Sequence, residues 1–173
     1  MPKSEKVILT NMCMVYDGNK VLVQDRLNKN WKGIAFPGGH VEKHESFTDA
    51  VIREVKEETG LTIFSPQLCG IKQWPDSETV RYMVLFYKTN KFEGELKSSV
   101  EGEVFWMDLE DLKKTKLAHD MLHMLDIFLD DNKSEFYYYH TLVFAVTCKY
   151  FLLFLNKLRS GNKVYRCIGI SLL

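Results

Sequence analysis

GHVEKHESFTDAVIREVKEETGL, residues 39–61, places Glu54, Glu57 and Glu58 at i, i+3 and i+4. On a helix turning about 100° per residue, three side chains so spaced project from one stripe. Three like charges at that separation repel and raise one another's pKa, so they persist together only with a cation, or a dense set of basic partners, among them. Carboxylate oxygens without Cys or His suit a hard cation, which makes Mg²⁺ the natural choice and Mn²⁺ its substitute.

The helix itself is predicted from local chemistry over residues 47–59. Ser46 supplies an N-cap, Asp49 an acidic capping-box partner three residues on, and Gly60 the stop. Phe47, Val51 and Val55 recur every four residues beside Ile52, so an apolar stripe packs on a sheet while the acidic stripe adjoins it at the surface. Arg53 has Asp49 and Glu57 at i−4 and i+4, a placement for orienting the acids. Upstream, Phe36-Pro37-Gly38-Gly39 permits a tight turn and close backbone approach, and the Gly38 carbonyl is a candidate further ligand.

Gly39, Glu45, Arg53, Glu54, Val55, Glu57, Glu58, Gly60 and Leu61 fill every fixed position of the pattern G-x5-E-x7-R-E-U-x-E-E-x-G-U, where U is a bulky aliphatic residue. The stretch therefore resembles the signature of the Nudix hydrolases. The wider text, LVQDR, WKGIAFPGGHVE, EETGLTI, GIKQWP and SSVEGEVFWMD, is similar to the MutT/MutX-like branch of 8-oxo-dGTP diphosphatases, over about residues 5–139. The resemblance implies an α/β fold, an α/β/α sandwich with a mixed β-sheet. It implies that Glu54, Glu57 and Glu58 hold metal, that Glu45 is the salt-bridging member of the motif, that Arg26 contacts phosphate, the alternative being a surface arginine, and that a glutamate in the loop at residues 98–103 comes over the metal stripe as ligand or base. Glu101 is the choice for that glutamate and Glu103 the runner-up; the alternative is two solvated acids in a turn.

Composition sets ordinary bounds. A 173-residue chain that is 46% apolar can bury one sizeable core. Its net charge of zero provides no global field for a nucleic-acid polymer, so the partner is expected to be a small nucleotide whose charge is met locally. Cys13, Cys69, Cys148 and Cys167 form no paired motif and read as thiols of a reducing cytoplasm, consistent with an N-terminus lacking a secretory apolar region.

Strands are predicted over residues 7–16 and 20–26, joined at Asp17-Gly18-Asn19, then over 61–73 with a kink at Ser65-Pro66, over 80–90 and over 104–107. Helices are predicted over 109–114 and 118–130. Trp31, Phe36, Trp74 and Tyr82 offer surfaces for stacking a purine, Asn11 could hydrogen-bond a base edge, and His40 could touch substrate; each has a structural alternative in the core or a loop. His119 and His123, spaced i, i+4, read as a solvated helix face rather than a zinc site. Residues 1–139 form the expected domain, and residues 140–173 an apolar extension. Its run TLVFAVTCKYFLLFL, residues 141–155, is short of the roughly 20 residues that span a bilayer. Packing on the domain, pairing in a homodimer, an extension without fixed structure and membrane association all stay open for it.

The chemistry expected of this inventory is metal-dependent hydrolysis of a nucleoside triphosphate, 8-oxo-dGTP by the branch resemblance, to the monophosphate and pyrophosphate. Glu54 or Glu101 would act as general base. The alternatives are another nucleoside diphosphate derivative, such as a nucleotide sugar, a dinucleoside polyphosphate or ADP-ribose, and a module that binds a nucleotide without cleaving it.

Overall fold

The computed structural model describes residues 4–139 and 149–154. The elements in chain order are β1 (Lys6–Asp17), β2 (Lys20–Arg26), β3 (Gly33–Ala35), α1 (Phe47–Thr59), β4 (Thr62–Ile63), β5 (Gln67–Pro75), β6 (Val80–Thr89), β7 (Phe92–Glu93), β8 (Gly102–Asp108), α2 (Leu109–Leu112), α3 (Met121–Leu129), β9 (Lys133–Tyr139) and β10 (Lys149–Phe154). Eight strands make one mixed sheet in the order β10-β9-β5-β6-β1-β2-β3, and β8 lies along the opposite edge of β2. The β1–β6 and β5–β9 ladders are parallel and the others antiparallel.

The centre of β1 reads Met12-Cys13-Met14-Val15 without polar alternation because both faces of the sheet are covered. Met12 and Met14 join Val21, Val23 and the α3 residues Met121, Met124 and Phe128 in one core. Cys13 and Val15 join Leu22, Leu85 and the α1 residues Val51 and Val55 in the other. One helix on each side of a mixed sheet is the α/β/α arrangement. Fully burying each valine of α1 is worth about 1.5–3 kcal/mol, which fixes how α1 rotates on the sheet and hence where its acidic stripe points.

Several expectations need correction. The strand expected over 61–73 is two strands in different sheets. Ser65, at the expected kink, takes a positive φ of 48° that interrupts the strand, and β4 pairs with β7 in a separate two-stranded ladder. The last helix begins at Met121 rather than residue 118 because Asp120 stands in the left-handed region at φ 65°, so His119 precedes the helix and never shares its face with His123. Strands β3, β7, β9 and β10 carried too little periodicity to be read. Of the apolar extension, only the backbone of β10 is described, antiparallel to β9; residues 140–148 and 155–173, and with them the readings made for the tail, lie outside the described residues. Among the described residues no helix is long and apolar enough to cross a membrane.

Candidate active site

Both ends of α1 are fixed as its sequence requires. The Asp49 N–H donates to Ser46 Oγ at 3.0 Å, and the Ser46 hydroxyl donates to Asp49 Oδ2 at 2.7 Å. Gly60 takes φ 78° and its N–H closes on Lys56 O at 2.9 Å. Asp49 is thereby committed to the cap and does not pair with Arg53, contrary to the spacing argument.

Arg53 instead gathers the motif. Its Nε and Nη2 donate to Glu45 Oε1 and Oε2 at 2.8 and 3.0 Å, and Nη1 reaches Glu54 at 2.9 Å and Glu57 at 3.1 Å. Nη2 also donates to the His40 carbonyl at 3.0 Å, which ties the glycine segment to the helix. A planar fork with five donors can hold this many partners at once. Hydrogen bonding from Arg53 keeps the Glu45 carboxyl below its ordinary range, and the bond to Glu45 raises Arg53 in turn.

The segment Phe36-Pro37-Gly38-Gly39 is not a tight turn. It runs antiparallel along β1, with Cys13 N–H donating to Pro37 O at 2.9 Å and Asn11 N–H to Gly39 O at 2.8 Å. Gly38 is required by approach, since a Cβ there would meet the Asn11 carbonyl backbone, whereas a Cβ at Gly39 would meet the Glu54 carboxylate and displace it. The Gly38 N–H donates to Glu58 Oε2 at 2.9 Å, so this backbone forms one wall of the acidic stripe.

The three stripe glutamates differ in environment. The Glu58 side chain is only 4% exposed, while that of Glu57 is 60% exposed. Burial pushes Glu58 up to about 8, against the pull of the Gly38 N–H, with the Glu101 carboxyl adding to the rise. Burial also raises Glu54, opposed by Arg53. Arg26, at the end of β2, reaches across with Nη1 3.5 Å from Glu58 Oε1 and Nη2 3.1 Å from Glu101 Oε2. Glu101 thus shares Arg26 with Glu58 and stands beside the stripe. Glu103 sits on β8 opposite Asp25, away from the cavity wall to which Glu101 belongs.

The donor chemistry fits a hard divalent cation. Four carboxylates and a nearby backbone segment supply oxygen only, and a positive charge beside a buried carboxylate such as Glu58 favours its ionised form. Among the described residues no three acids converge as a ready ligand set, because one guanidinium lies between Glu58 and Glu101 and another between Glu54 and Glu57. Arginine stands where cationic charge is needed.

Beside the stripe opens a cavity of about 1150 Å³. Glu54, Glu101, Arg26 and His40 border it on the acidic side, and Trp31, Trp74 and Tyr82 supply aromatic walls. Trp74 stacks on Tyr82 at 4.4 Å between ring centroids, and the His40 ring meets Tyr82 edge-on at 6.5 Å. Asn11, 3% exposed, lines the cavity with both Oδ1 and Nδ2 lacking a partner. Phe36 does not belong to the site. It is fully buried, edge-to-face on Phe128 at 5.1 Å, because β3 carries its ring into the core under α3.

Sequence reading missed Asp120 and Lys72. Lys72 Nζ donates to Asp120 Oδ2 at 2.8 Å within the cavity wall, and Asp120 Oδ1 is buried with no partner. Lys72 lies between Ile71 and Gln73 on β5, and Asp120 between His119 and Met121, so neither residue's sequence neighbours signal the pair.

The NUDIX domain family matches residues 8–128. An uncharacterized Nudix hydrolase, YvcI, of Bacillus subtilis is 31% identical over 122 residues, covering 68% of this chain and 76% of that protein. An ADP-ribose pyrophosphatase of Methanocaldococcus jannaschii is 36% identical over 107 residues, 60% of this chain, and the match spans 63% of that relative's length. In structure, the chain resembles a MutT mutator protein of Bacillus halodurans with a TM-score of 0.66 at 26% identity, over 83% of this chain and 97% of that one.

Proposed function

This chain belongs to the NUDIX family and is a Nudix pyrophosphohydrolase, and from that premise we propose that its substrate is 8-oxo-dGTP, hydrolysed to the monophosphate and pyrophosphate. The observation that carries the proposal is the Asn11 amide, buried in the cavity wall with donor and acceptor both idle. Such a pair costs free energy in the empty protein and is recovered by a ligand edge with the complementary pair. Oxidation at C8 turns the purine N7 from acceptor to N–H donor, next to carbonyl acceptors, and an amide reads that edge with two hydrogen bonds. Ordinary guanine presents acceptors at both N7 and O6, so whichever way the amide turns, its oxygen meets no donor on that edge. Asp120 Oδ1 offers a second acceptor for ring N–H groups, and Trp31 and Trp74 offer faces for stacking.

Glu54, Glu57, Glu58 and Glu101, with the Gly38 carbonyl, are the residues that would hold Mg²⁺, with Mn²⁺ as substitute. Bound there, the cation would offset phosphate charge and acidify a water. Glu54, raised by burial and bordering the cavity, is suited to take the water's proton, with Glu101 as the other candidate. Arg53 orients Glu54 and Glu57 and does not reach the substrate. Arg26 offers the guanidinium fork for phosphate. Residues 1–139 hold all of these groups and are the proposed catalytic unit of a cytoplasmic enzyme.

One other substrate is favoured by a specific observation. An amide also pairs with the N6–H and N7 of adenine, and the relative from Methanocaldococcus jannaschii is an ADP-ribose pyrophosphatase. The test is kcat/KM for 8-oxo-dGTP, dGTP and ADP-ribose with Asn11→Leu beside wild type. The proposal expects a drop of about ten- to a hundredfold on 8-oxo-dGTP and little change on dGTP. An equal drop on both, or ADP-ribose as the preferred substrate, would contradict it.

A further inference from the structure

Arg26 occupies the space between two carboxylates that the functional reading assigns to a metal. Its guanidinium lies 3.5 Å from Glu58 and 3.1 Å from Glu101, and Gln24, fully buried two residues earlier on β2, braces it by accepting from Nη1 at 3.1 Å. Yet the fit is incomplete, since Nε is buried without a partner. The same guanidinium stands over the Trp31 ring, 5.3 Å from its centroid, on the cavity side where phosphates would lie. A cation on Glu58 and Glu101 must evict this group, and an evicted guanidinium beside a divalent ion needs an anion.

We propose that Arg26 is the resident counter-ion of the acid cluster and exchanges Glu58 and Glu101 for substrate phosphate when the divalent cation binds, so that cation and nucleotide bind as a coupled pair. This rests on the functional reading above and adds an order to it. Without nucleotide the cation competes with arginine and binds weakly. With nucleotide the arginine has a bidentate partner, and the carboxylates are released to the cation. By linkage the coupling acts equally in both directions.

The experiment is Mn²⁺ binding to the full chain by calorimetry and electron paramagnetic resonance, without nucleotide and with an imido-bridged nucleoside triphosphate. Arg26→Ala removes the competitor, and Arg26→Lys keeps the charge but lacks the fork that spans two carboxylates. The exchange expects both variants to bind Mn²⁺ alone more tightly than wild type, by about five- to a hundredfold, and to gain less from the analogue. A field effect without exchange would leave Arg26→Lys at the wild-type affinity, and unchanged affinity in both variants overturns the proposal. In wild type itself, Mg²⁺ added without nucleotide should shift the Trp31 emission, taken as the difference from Trp31→Phe; an unaltered Trp31 signal at saturating Mg²⁺ also overturns it. Wild type that hydrolyses no phosphoric anhydride refutes the functional reading, whereas active wild type with unmoved Mn²⁺ affinities in the variants refutes the exchange alone.

Discussion

Replacing Glu58 by Gln should remove a specific pH dependence of stability in the metal-free protein. Burial lifts the Glu58 carboxyl from its ordinary 4.5 to about 8. The folded state therefore holds a proton that the unfolded chain releases near 4.5, so the stability this group contributes is full below that value and is lost as pH rises through 8. With those two values the penalty is about 1 kcal/mol at pH 5 and about 4 kcal/mol at pH 8, a loss of about 3 kcal/mol across the interval. For a domain of this size, about 2–4 °C per kcal/mol turns this into a fall of roughly 6–12 °C in Tm. Glutamine keeps an oxygen to accept the Gly38 N–H and does not ionise. The assay is thermal unfolding of wild type and Glu58→Gln in chelator from pH 5 to 9, read as the difference between the two, which cancels groups common to both. The variant should gain on wild type as pH rises, and Mg²⁺ should restore wild type alone. A flat difference, or one that favours wild type at high pH, would refute the burial argument.

Glu54→Gln should lower kcat by about 10²–10⁴-fold with the circular dichroism spectrum retained, as expected for loss of a proton acceptor; turnover near wild type would move the base elsewhere. Phe36→Ala should cost about 3–5 kcal/mol in denaturant unfolding, as a core cavity does, with KM per folded molecule unchanged. Trp74→Ala, on the cavity wall, should show the reverse, a raised KM with little loss of stability. Arg53→Lys breaks the fork that joins Glu45, Glu54 and Glu57, and steady-state kinetics should show kcat down by about 10–100-fold with KM nearly constant, since a lysine cannot orient all three.

The parts of this molecule legible in its sequence are those decided locally. Helix α1 was read to its first and last residue because Ser46, Asp49 and Gly60 set its ends through contacts within one turn. The stripe of Glu54, Glu57 and Glu58 followed from the same helix. Of the two partners that spacing offered Arg53, Glu57 is bonded and Asp49 is not, since spacing cannot show that Asp49 is already bound to Ser46. Phe36 failed for a different reason. An aromatic residue beside a glycine segment reads the same whether its ring faces a cavity or a core, and only the arrival of Phe128 from α3 decides it. Lys72 and Asp120 meet from β5 and the start of α3, so neither residue's neighbours in sequence carry the pair. The break between β4 and β5 falls at Ser65-Pro66, where a kink was expected; what spacing did not show is that the short piece before it pairs with β7 in a separate ladder.

The central claim is that the acidic face of α1 serves hydrolysis of a phosphoric anhydride in an oxidised purine nucleotide. Product analysis of 8-oxo-dGTP with wild-type protein and Mg²⁺, set against dGTP and against Glu58→Gln, tests it most directly. The account expects monophosphate and pyrophosphate in equal amounts, only with metal, faster in kcat/KM from 8-oxo-dGTP than from dGTP and nearly absent in the variant. Inorganic phosphate as the product, equal rates on the two nucleotides, or undiminished turnover by Glu58→Gln would contradict it.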